Sequence, residues 1–169
     1  MARSFLLWLA FAYCGTGVAQ VDCIKRQATA LVGTREGPIN NRGPRVDSII
    51  RFAGGTPGQA WCSYVQIYIW KKCGIPHRGV NGMAMSWAKQ ERFVRRDLIT
   101  APDHFTIYNK ALGRIGHVGI VFRTYPEESF FMSFEGNINA RGDRESRRSK
   151  AGHLTREYNA CNGFYRWWK

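Results

Sequence analysis

Acidic side chains are scarce in this 169-residue chain: 12 Asp and Glu stand against 25 Lys and Arg, a formal net charge of +13. An imbalance of this size points to an anionic partner surface rather than to solubility alone. Metal-ligand spacing is missing too. The 5 cysteines and 4 histidines form no C-x-x-C and no H-x-x-x-H pair, so no metal site and no other cofactor is expected. Apolar runs long enough to concern a membrane occur only at the amino terminus, and the chain has no internal repeat. At 19.3 kDa there is room for one domain with a real core and not comfortably for two.

The first nineteen residues read as a secretory signal peptide. Arg3 is a positive n-region, Phe5 to Ala12 an apolar h-region, and Gly15-Thr16-Gly17-Val18-Ala19 a small-residue cleavage site before Gln20. The expectation is an exported monomer, secreted or periplasmic, with no transmembrane segment and a single domain over 20–169. Its net charge after cleavage is about +12, since Arg3 is the one charged side chain lost. For such a protein the expected partners are anionic cell-envelope polymers and not nucleic acid.

Export permits disulfides. With Cys14 in the leader, Cys23, Cys62, Cys73 and Cys161 remain. Domain termini tend to lie close together, which favours a Cys23–Cys161 pair. Cys73 follows Cys62 by three helical turns and is expected to be a small buried hydrophobe.

The most informative stretch is Gly54-Gly55-Thr56-Pro57-Gly58-Gln59-Ala60-Trp61-Cys62-Ser63, a glycine-rich turn running into an apolar segment with helical spacing from Trp61 to Lys72. A helix there puts Cys62 in its first turn, where unpaired N–H groups and the macrodipole favour a thiolate. Further helices are predicted over Cys23–Val32, Arg45–Ala53 and Asn81–Gln90. Short aromatic and β-branched runs follow at His104–Tyr108, Ile115–Phe122, Phe130–Glu135, Leu154–Tyr158 and Gly163–Trp168. Helices first and strands afterwards predict an α+β domain with N-terminal helices packed on an antiparallel sheet. The basic run from Arg141 to Lys150 reads as a solvated loop.

A nucleophilic thiol needs a base, and the base needs an orienting group. Of the four histidines, His117 stands at the start of an apolar strand between Gly116 and Gly119, which leave space for substrate or a facing helix. The strand ending in Glu135-Gly136-Asn137 could bring Glu135, or Asn137 as a neutral acceptor, to the imidazole. Gln59, three residues before the cysteine, is the candidate side-chain donor to an oxyanion, and Trp61 a candidate substrate contact.

Trp61-Cys62-Ser63, Gly116-His117-Val118-Gly119-Ile120-Val121 and Glu135-Gly136-Asn137 together resemble the CHAP domain, the cysteine- and histidine-dependent amidohydrolases/peptidases. Val32-Gly33-Thr34-Arg35-Glu36 and Asn41-Arg42-Gly43 are similar to the lead-in of such proteins. The resemblance covers about residues 28 to 168. It implies a papain-like fold and cleavage of a peptidoglycan amide, either at the N-acetylmuramoyl–L-alanine bond or within the stem or cross-bridge. Carried over, Cys62 is the nucleophile, His117 the base and Glu135 the orienter, with Asn137 assisting. Many relatives carry a Gly-Asp pair before the histidine strand, where this chain reads Pro102-Asp103-His104. NlpC-type endopeptidases share the Cys-then-His order, but usually show Asp-Cys-Ser and a second histidine. A non-catalytic wall-binding module and an antibacterial amidase toxin neutralised by an immunity protein are the other readings.

Overall fold

A computed structural model describes residues 3–139 and 149–168, with side chains described from residue 17 onward. Three helices, α1 (Arg3–Leu31), α2 (Pro44–Ala53) and α3 (Cys62–Lys72), precede five strands. These are β1 (His104–Asn109), β2 (Arg114–Thr124), β3 (Phe130–Ile138), β4 (Lys150–Glu157) and β5 (Gly163–Tyr165). The strands form one antiparallel sheet in the order β4-β3-β2-β1-β5. The chain is therefore an α+β protein, helices first, with β1 to β4 joined as consecutive hairpins and β5 returning to pair with β1. No described helix is long and apolar enough to cross a membrane.

Local chemistry accounts for the helix ends. Pro44 sits in the first turn of α2, where its missing N–H costs nothing. Asp47 accepts from Gly43 N at 3.1 Å and from Arg42 Nε, so a carboxylate faces the positive end of the helix. Burial alone would raise the Asp47 pKa; the bonds from Arg42 and Gly43 outweigh it and hold it below the usual carboxylate range. Gly54 then closes α2 in a left-handed conformation, φ 96°, that favours glycine.

Helix α3 is buried on nearly every side, from Cys62 through Trp70, and forms the axis of the larger core. Ile24, Ala28 and Leu31 of α1, Val46, Ile49 and Ile50 of α2, and Val118, Ile120 and Phe134 of the sheet surround it. A second cluster joins Phe105, Val121, Phe131, Phe164 and Val94.

Two expectations need correction here. The helix predicted over Asn81–Gln90 is a loop with short 3-10 turns at Ala84–Trp87 and Gln90–Arg92. Asn81 Oδ1 takes the Met83 N–H and Ser86 Oγ bonds back into the same segment, and such side-chain bonds compete with a helical ladder. The disulfide is Cys23–Cys73, with Cα atoms 5.8 Å apart, and not Cys23–Cys161. Cys73 caps the far end of α3, where α1 packs, whereas Cys161 follows a 3-10 turn after β4 and packs against the second cluster. Proximity of the termini was the wrong criterion, because the packing of α1 against the end of α3 sets the partner of Cys23. The basic run Arg141 to Lys150 falls largely outside the described residues.

Candidate active site

Cys62 is the first residue of α3, with no side-chain cap and no acidic residue in the first turn. It takes no part in a disulfide and is 2% exposed, yet it lines an open cavity of about 360 Å³. Gln59, Tyr64, Met83, Arg114 and Gly116 line the same cavity. The wall opposite the helix is anchored at the helix start: Ser63 Oγ donates to Asn81 O at 2.5 Å and accepts from Trp87 Nε1 at 2.8 Å.

His117 enters from β2. Its Nε2 lies 2.6 Å from Glu135 Oε2, and the ring also interacts with the Cys62 side chain. The imidazole thus meets both a carboxylate and a thiol. Burial by itself would strip the ring of its proton; the bonds to Cys62 and Glu135, and the negative charge they carry, reverse this and push the His117 pKa up to about 9.

Glu135 is fully buried but well supplied with donors. Ser133 Oγ lies 2.5 Å from Oε1, Arg156 Nε donates to Oε1 at 2.8 Å, and Arg156 Nη2 donates to Oε2 at 2.7 Å. Burial would raise its pKa; the Arg156 fork and His117 override that and hold it well below the ordinary range. Gly119 makes the approach possible, since a Cβ there would sit 2.6 Å from Glu135 Cγ and 2.7 Å from Phe105 Cζ. The space beside this glycine belongs to Glu135 and Phe105, and not to a substrate or facing helix; Gly116 is the one on the cavity wall.

Cys62, His117 and Glu135 therefore converge, while other named residues have different places. Trp61 is fully buried, donates Nε1 to Glu36 Oε1 at 2.8 Å and packs over Gly136, so it is a core residue and not a substrate contact. Glu36 also accepts from Ser149 N at 3.1 Å, which gives the Arg35-Glu36 lead-in a structural role. Gln59 lies on the cavity wall, its Oε1 accepting from Thr56 N at 2.8 Å and Tyr64 Oη at 2.7 Å, which leaves the Nε2 end to donate. Asn137 is buried within the irregularity between Glu135 and Ile138 in the β3–β4 pairing, with φ 60°, and its Oδ1 has no hydrogen-bond partner; no hydrogen bond among the described residues joins it to His117. The Pro102-Asp103 departure is also structural. Asp103 accepts both prongs of Arg166 at 2.8 Å and Trp168 Nε1 at 3.0 Å, tying the C-terminal segment to β1.

Sequence reasoning missed Arg156, Ser133 and Tyr64. Ser133 was within reach, two residues before Glu135 and on the same face of the strand. Arg156 carried no local signal. No family model, no curated protein and no solved structure matches the chain.

Proposed function

We propose that this protein is an exported, papain-like cysteine amidohydrolase of the CHAP type that cleaves an amide bond of peptidoglycan. The observation that carries the reading is Cys62, at the start of α3, interacting with the His117 imidazole, whose Nε2 is 2.6 Å from the buried carboxylate of Glu135. That arrangement supports the roles of nucleophile, base and orienter. The cavity at Cys62, the excess of positive charge and a disulfide suited to an oxidising compartment support it.

In this mechanism the Cys62 thiolate, paired with the His117 imidazolium, attacks the scissile carbonyl carbon. The resulting oxyanion accepts from the N–H groups of the first turn of α3 and from Gln59 Nε2. His117 gives its proton to the departing amine as the C–N bond breaks, leaving a thioester. Water then attacks the thioester while His117 takes its proton, and the Cys62 sulfur leaves as thiolate. Glu135 keeps the ring oriented and stabilises its charged form in both half-reactions, and Arg156 with Ser133 fixes the carboxylate. The cell-envelope polymers would be held by the basic surface.

The test is turbidity loss and fragment release from purified peptidoglycan, wild type against Cys62→Ala. Activity that vanishes in the variant is the expected result, and mass spectra of the fragments identify the bond. Equal activity in both proteins would refute the reading. Retained wall binding with no hydrolysis by the wild type would favour a non-catalytic module.

A further inference from the structure

The cavity wall beside Cys62 is neutral at nearly every position. Gln59, Ala60, Tyr64, Asn81, Gly82, Met83 and Ala84 contribute no charge, no acidic residue lines it among those described, and Arg114 is its cation. Arg114 opens β2, three residues before His117, and its backbone pairs with Asn109 across the β1–β2 hairpin. Arg114 is therefore carried on the same strand as the base, three residues away along it, with its side chain on the cavity wall. Its side chain is exposed and makes no hydrogen bond or ion pair with the described residues. This contrasts with Arg156 and Arg166, each spent on a buried carboxylate.

Resting on the hydrolase reading, we propose that Arg114 is a specificity residue that binds a carboxylate of the substrate next to the scissile amide. The preferred substrate class is then an anionic peptide, one whose residue at the cut keeps a free carboxyl group. A guanidinium offers two parallel N–H donors matched to a carboxylate, and a carboxamide cannot accept both with the same strength. The charge of the Cys62 thiolate is balanced by the imidazolium beside it, so Arg114 is the uncompensated charge that a carboxylate entering the cleft meets among the described lining residues.

The test uses soluble muropeptides, intact and after conversion of their carboxylates to carboxamides with carbodiimide and ammonia. Wild type should hydrolyse the intact form about tenfold better in kcat/KM, and Arg114→Gln should bring that ratio close to one, with Arg114→Lys between. Calorimetry on Cys62→Ala gives a second readout: intact muropeptides should bind about tenfold more weakly when Arg114→Gln is added. Equal wild-type rates on the two forms, or an Arg114→Gln variant that slows both alike, would overturn the proposal. A wild type inert on both forms ends the hydrolase reading instead, and the calorimetric comparison then decides carboxylate binding independently.

Discussion

Two buried histidines in one sheet have opposite fates. His104 opens β1, is fully buried and stacks on Trp87 with ring centroids 3.9 Å apart; neither ring nitrogen has a hydrogen-bond partner. Burial lowers its pKa well below 6.5, so it is a neutral aromatic plate in the core. His117, one strand away, is almost as deeply buried and is driven the other way by Cys62 and Glu135. Desolvation is common to both. What separates them is whether an anion reaches the ring, and that depends on Gly119 leaving room for Glu135.

The largest effect expected from this contrast is on activity. His117→Ala or Cys62→Ala should lower kcat/KM on peptidoglycan by about a hundredfold or more, whereas His104→Phe should stay within about threefold. A His104→Phe loss as deep as that of His117→Ala would break the comparison. Thermal unfolding of His104→Phe should be unchanged or slightly raised, since replacing an unbonded buried polar group by an apolar one is nearly neutral.

Next in size is the orienter. Glu135→Gln removes the negative charge from His117 and leaves Arg156 facing a neutral amide. A loss of about thirtyfold is expected, together with a shift of the alkaline limb of the kcat/KM profile, set near 9 by His117, to lower pH. An unmoved limb would show that Glu135 does not control the ring.

The same two residues predict smaller, opposite slopes of stability with pH. The folded pKa of His117 lies above its ordinary 6.5, so its stabilising contribution is complete below pH 6.5 and is lost as pH rises through about 9. The folded pKa of His104 lies below 6.5, so its contribution is complete above that value and is lost as pH falls below it. Melting temperatures should therefore drop by a few degrees on each side. His117→Ala should flatten the alkaline side and His104→Phe the acidic one. Asn137→Ala, lacking a bond to the ring, should show the smallest change, about threefold in kcat/KM.

The parts of this picture legible in the sequence were those written locally. The Gly54 stop, the apolar run of α3 and the strand around His117 each follow from neighbouring residues, and Glu135 follows from its place at the end of the next strand. Arg156 was not legible, because reaching Glu135 depends on the register of β3 against β4, seen in the Phe131–Arg156 pairing. The Cys23–Cys73 bond was hidden for a similar reason, since it needs the packing of α1 against the end of α3. Trp61 looked available to substrate because it adjoins the cysteine, but successive residues at a helix start point in different directions, and its indole turns inward to Glu36.

The ring of Tyr64 touches two distant glycines at once. A Cβ at Gly55 or at Gly82 would overlap that ring, although the two positions belong to separate loops, one before α3 and one after it. Gly55, Tyr64 and Gly82 should therefore behave as one heritable unit. A methyl gained at either glycine should damage the protein alone and be tolerated beside a smaller residue at 64, so that neither glycine's cost can be read without knowing what stands at the tyrosine.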